Sequence, residues 1–113
     1  MTVKIPERAC QIWAVLAWAS RGQQTMTYKQ LGAAIGVPPP GLGQLLDPIH
    51  AYCEAKALPP LTVIVVGKDG MPGVGFPAAQ PVEVLRRQRE VFSTDWLAHG
   101  NPGPSAFAAG PAE

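Results

Sequence analysis

Thr25-Met-Thr-Tyr-Lys-Gln-Leu-Gly-Ala-Ala-Ile-Gly-Val-Pro38 is the stretch that decides the fold. Thr27 suits the cap of a short helix, because its hydroxyl accepts from the orphan N–H groups of a first turn. Tyr28, Leu31 and Ile35 then recur at helical spacing. Gly36 ends that helix, and Pro38, Pro39 and Pro40 cannot continue it. The pattern predicts a helix over 28–35 and a sharp turn into the next one, the first half of a helix-turn-helix.

Upstream, Pro6 and Glu7 suit a helix start, where proline costs no hydrogen bond and an acid complements the dipole. Ile12, Trp13, Leu16 and Ala17 give the apolar stripe, with Trp18 at its edge. Arg21 and Gly22 close the helix. Residues 23–26 make a short extended link. Downstream, a third helix is expected from about Pro40 to Ala57, with Leu42, Leu45, Leu46, Ile49, Tyr52 and Cys53 in period. Pro48 should kink it or split it at a new cap on Asp47.

Leu61-Thr-Val-Ile-Val-Val66 reads as a strand, being rich in β-branched residues. Gly67-Lys-Asp-Gly70 is a hairpin turn signal, and Gly73-Val-Gly-Phe76 is the short return strand. A last helix is expected over about 81–92, with Val84, Leu85, Val91 and Phe92 packing and Arg86-Arg87-Gln88-Arg89-Glu90 as a solvated face. From Gly100 onward Gly, Pro, Ala and Ser predominate, which predicts a flexible tail. The expected fold is α/β, mainly α: a winged helix-turn-helix with a two-stranded wing and a C-terminal helix. Its organisation reads as a winged-helix domain over 1–76, a helical extension over 77–98 and a tail over 99–113.

The 113 residues suffice for one small domain with a modest core. A formal net charge of +1 argues against wholesale phosphate neutralisation, though not against a local basic patch. Cys10 and Cys53 lie in apolar helical patterns and read as free, buried thiols. No CxxC and no metal-ligand spacing occurs. No segment approaches the roughly 20 apolar residues of a membrane span, and the N-terminus lacks an apolar signal region. A reducing, cytoplasmic setting is the expectation, with no membrane, metal or cofactor.

No catalytic constellation emerges. His50 and His99 stand alone, and the glycines of 67–75 do not follow a strand-to-helix order, so they read as a turn rather than a phosphate cradle. The chain is expected not to be an enzyme. The third helix offers Gln44 as a base reader. Thr27 and Lys29, with Lys68 on the wing, are the expected contacts to a nucleic-acid backbone. Asp47 on the same helix opposes phosphate. The Arg86–Arg89 cluster is either an arm on phosphates or a helix face paired with Glu83 and Glu90.

The segment from about Cys10 to Phe76 resembles the winged-helix domain of O6-alkylguanine-DNA alkyltransferases and alkyltransferase-like proteins. The matching residues are Trp13, Thr27-Tyr28, Leu31-Gly32, Gly36-Val37-Pro38, Val65-Val66, Asp69-Gly70 and Gly75-Phe76. The resemblance implies a winged helix and a DNA partner. It does not carry the family's chemistry. The place of the reactive cysteine falls on Thr62, and the following His and Arg fall on Val63 and Ile64. The base-flipping arginine falls near Pro40–Leu42, where there is none. A threonine without a base is inert toward alkyl groups, and base extrusion needs a residue to fill the stack.

Two functions follow from the sequence. One is a non-enzymatic DNA-binding or regulatory module acting on double-stranded DNA through Thr27, Lys29, Gln44 and Lys68. The other is a protein-interaction module, a partner-binding or inhibitory subunit of a bacterial or phage system. Near-neutral charge and three tryptophans suit the second. An apolar patch around Trp18 or Trp96 would favour it; a positive stripe along the third helix would favour the first.

Overall fold

A computed structural model describes residues 4–67 and 81–108 of the chain. Helix α1 spans Ile5–Arg21. It starts where Glu7 Oε1 accepts from the Lys4 N–H at 3.1 Å, with Pro6 in the first turn. Ala9, Ile12, Trp13, Leu16, Ala17 and Ser20 are buried, a stripe at i, i+3, i+4 and i+7. Each large member of that stripe contributes about 1.5–3 kcal/mol by leaving water. The Gly22 N–H closes the helix on the Trp18 carbonyl at 3.2 Å.

Strand β1 (Met26–Thr27) leads directly into α2 (Tyr28–Ile35). Thr27 and Gln30 form a reciprocal capping box: each backbone N–H donates to the other's side-chain oxygen, at 2.9 and 3.0 Å. Leu31 and Ile35 face the core. Gly36 then adopts φ +76°, and the N–H groups of Gly36 and Val37 both converge on the Gly32 carbonyl. Gly32 itself admits no side chain, since a Cβ there would lie 2.4 Å from the Val37 carbonyl oxygen. Arg8 of α1 donates to the Ile35 carbonyl, placing a cation at the negative end of α2.

The turn contains a 3-10 helix, Pro39–Gly41, before α3 (Gly43–Ala55). The third helix therefore starts later than the prolines suggested, because they are taken up by the tighter turn. It also runs unbroken through Pro48. Asp47 is an exposed residue within it rather than a new cap. Losing one N–H donor is outweighed by packing on both sides of the proline, with Leu45, Leu46, Ile49 and Cys53 all buried. The helix ends with Ala57 at φ +56° and Leu58 N–H on the Cys53 carbonyl at 2.8 Å, a left-handed closure usually given to glycine.

The expected six-residue strand is mostly a 3-10 helix. Leu61–Ile64 form that turn, and β2 is only Val65–Val66. All six side chains are buried, and a short, fully buried apolar run has no periodicity to separate strand from helix. The Val63 carbonyl bonds to the Gln88 side chain at 3.1 Å instead of a ladder partner. The sheet formed by the described residues is parallel, pairing Met26 with Val65 and Thr27 with Val66. The expected hairpin turn after Gly67 and the return strand 73–76 lie outside the described residues. What stands is a mainly helical fold with a small two-stranded sheet.

Helix α4 (Pro81–Phe92) buries Val84, Gln88 and Val91. Leu85, expected to pack, is exposed, and Gln88, expected in solvent, is inside. Arg86 pairs with Glu83 and Glu90, and Arg87 with the same two acids, as a solvated face should. Helix α5 (Trp96–His99) is capped by Asp95, whose carboxylate accepts from the Ala98 N–H at 3.0 Å.

Residues 100–108 depart from the expected flexible tail, of which 109–113 lie outside the described residues. They carry α6 (Pro104–Ala108) back onto α1 and α3 and bury Phe107. Trp13 sits in the centre of the resulting aromatic cluster. Its ring lies 5.3 Å from Tyr52, 5.4 Å from Trp96 and 6.0 Å from Phe107. One aromatic residue with a buried receptor was enough to order a segment whose composition otherwise supplies no core. Val84, Val91, Trp96 and Phe107 join the same hydrophobic cluster as the buried residues between Ala9 and Val65.

Candidate recognition surface

Thr27 and Lys29 lie at the start of α2 and Gln44 at the start of α3, on either side of the turn that joins them. Lys29 and Gln44 are exposed, and Thr27 is half-buried. The Thr27 hydroxyl oxygen is held as an acceptor by the Gln30 N–H at 3.0 Å. No hydrogen bond joins these three side chains to one another. Lys68 lies outside the described residues.

The solvent side of α3 is carried by Gln44, Asp47, Ala51 and Glu54, all exposed and spaced along one face. Helix α3 holds no lysine or arginine from Gly43 to Ala55. Two carboxylates thus occupy the face that a helix in a groove turns toward phosphates, and they repel that polyanion over a Debye length of about 8–10 Å.

Thr62 and the two cysteines are withdrawn from solvent to different degrees, and His99 is hydrogen-bonded. Thr62 is 8% exposed. Cys53 is buried, and burial pushes its thiol up to about 11, partly offset by a backbone hydrogen bond at Leu61. Cys10 is half-buried and donates to the Pro102 carbonyl at 3.4 Å. Burial first, and then the negative charge of Glu7, raise its pKa as well. Both cysteines are therefore free thiols poorly suited to act as nucleophiles. His99 Nε2 and the Tyr52 hydroxyl share a hydrogen bond at 3.0 Å. Among the described residues no three His, Cys, Asp or Glu side chains are grouped to hold a metal ion. No helix among them is long and apolar enough to cross a membrane.

A different surface lies at the C-terminal end of α1. Trp18 is 72% exposed and walls a groove of about 480 Å³ that Ala19, Arg21, Met26, Gln24 and Gln30 also line. Its lining is mainly apolar and includes the amides of Gln24 and Gln30. Arg21 is exposed and has no hydrogen-bond or ion-pair partner among the described residues. On the other side of Arg21 a second cleft, of about 360 Å³, runs between the end of α1 and the residues Phe92, Asp95 and Leu97. Leu97 is also exposed.

Sequence reasoning placed Trp18 at the edge of the α1 stripe and did not gather these residues into a site. The signal for exposure was present. Five residues separate Trp13 from Trp18, which at 3.6 residues per turn rotates one about 140° from the other. The groove was not legible, because its lining depends on how the link after Gly22 folds back to bring Met26 and Gln30 beside the end of α1. Trp96, the other candidate for an exposed aromatic, is buried and donates its indole N–H to the Val91 carbonyl at 2.8 Å.

No family profile, curated protein or solved structure matches the chain.

Proposed function

We propose that this chain is a non-enzymatic recognition module that docks a protein partner at the Trp18 end of α1, using a winged-helix type of helix-turn-helix as its scaffold. The observation that carries this reading is Trp18 itself, 72% exposed over an apolar groove and three residues from Arg21, which has no partner among the described residues. Tryptophan and arginine are the side chains most enriched among residues that dominate protein–protein binding energy. A solvent-facing indole on a soluble surface otherwise contributes little to folding. The acidic outer face of α3 supports the same choice, since it opposes a polyanion and tolerates a protein.

Duplex DNA is the second reading, favoured by the order α2–turn–α3 and by the exposure of Lys29 and Gln44 at its two helix starts. The alkyltransferase resemblance belongs with that reading at the level of scaffold. Alkyl transfer is outside both, because the counterpart of the reactive cysteine is a buried threonine.

Fluorescence anisotropy with a labelled duplex at low ionic strength separates the two. Protein docking predicts no saturable binding, or weak binding indifferent to Lys29→Ala and Gln44→Ala. Affinity that needs both residues and falls steeply with salt would establish the DNA reading instead.

A further inference from the structure

The charge of the Trp18 groove names the chemistry of its occupant. Its lining carries one cation, Arg21, and no carboxylate. Three other arginines are committed, and the fourth described one, Arg89, is exposed on α4 and does not line the groove. Arg8 donates to Gln11 and to the Ile35 carbonyl, and Arg86 and Arg87 are each paired with Glu83 and Glu90. Arg21 stands apart from them, on the last turn of α1, between the groove and the cleft beside Asp95. Its guanidinium is a planar donor fork that matches a carboxylate in two parallel hydrogen bonds.

We infer that the groove binds an acidic peptide segment of a partner protein, with an aromatic or aliphatic side chain packed on Trp18 and Met26 and a carboxylate held by Arg21. This rests on the protein-docking reading and adds the class of partner. The amides of Gln24 and Gln30 offer both donors and acceptors to the peptide backbone. A second copy of the chain is the poorer occupant. A two-fold contact through this patch sets each copy's groove against the other, which brings two Arg21 side chains together with no carboxylate in either lining to separate them.

The test is a random-peptide display selection on the immobilised full chain, with the selected peptides then synthesised and titrated. The expected winners carry net negative charge and at least one aromatic or aliphatic residue. Trp18→Ala should weaken them by at least about tenfold, as loss of a tryptophan anchor does. Arg21→Gln should weaken them, and selection on Arg21→Glu should turn up basic peptides in their place. Both positions are exposed, so thermal melting of each variant checks that the fold is intact. Winners that are basic or uncharged, or acidic winners indifferent to Arg21→Glu, overturn the acidic partner while Trp18 dependence keeps protein docking. If no selected peptide depends on Trp18, the docking reading falls with it.

Discussion

Trp13 and Trp18 stand on one helix, five residues apart, in opposite circumstances. Trp13 is wholly buried and meets Tyr52, Trp96, His99 and Phe107. Trp18 is mostly in water and meets a groove. The first draws α3, α5 and α6 onto α1 and so accounts for stability. The second has no such role, so its presence asks for another explanation. Rotation about the axis of α1 thus turns one tryptophan into the core and the other to solvent, where the proposed docking would use it.

That separation breaks most visibly at Trp13. Trp13→Ala is expected to cost about 4 kcal/mol, the range for a large aromatic deleted from a core, and a urea titration measures it. Trp13→Phe should cost clearly less than the lost volume suggests. The Trp13 Nε1 donor has no partner among the described residues, and removing an unsatisfied buried donor returns part of the loss. Equal losses for Ala and Phe would contradict the unpaired donor.

Phe107→Ala tests whether the C-terminal segment belongs to the same core. An expected loss of about 3 kcal/mol, with proteolysis opening the chain after residue 99, follows from its contact with Trp13 and Tyr52. No change in stability would return residues 100–108 to the status of a tail.

Alkaline pH probes the same interior through Cys53. Its folded-state pKa is raised, to about 11 from 9.0, so the folded state holds the thiol proton more tightly than the unfolded chain. The associated stability is fully present below the unfolded pKa and is lost as pH rises through the folded one. Between about pH 9 and 11 the loss should be on the order of 2–3 kcal/mol. Cys53→Ala should flatten that part of the pH profile. A wild-type profile flat to pH 11 would place Cys53 in contact with solvent.

Trp18→Ala gives the smallest stability effect, within about 0.5 kcal/mol of wild type, as surface substitutions do. A loss of more than 1 kcal/mol would mean that Trp18 packs as Trp13 does, and the contrast would be gone.

Much of the scaffold was legible in sequence for local reasons. Thr27, Gln30 and Gly36 bound α2 through hydrogen bonds and backbone geometry that need no tertiary context, and Pro81–Phe92 is helical as expected, although its packed face takes Gln88 and leaves out Leu85. What failed depended on distant partners. Leu61–Ile64 turned helical because Gln88, far along the chain, satisfies the Val63 carbonyl. Phe107 ordered a Gly- and Pro-rich stretch because Trp13 and Tyr52 offered it a place. The candidate site was legible only in part. Thr27, Lys29 and Gln44 stand at the helix starts as expected, yet the charge of the α3 face depends on which side of that helix packs. The Trp18 groove depends on the path of the chain from Gly22 to Gln30, which spacing alone does not give.

The central claim is that recognition uses the Trp18 end of α1 and involves protein. A photo-crosslinking amino acid placed at residue 18, and separately at residue 44, tests it in the source cells. The account predicts a discrete protein adduct from position 18 that Arg21→Glu abolishes, and none from position 44. Nucleic-acid adducts at position 44, with position 18 silent, would contradict it.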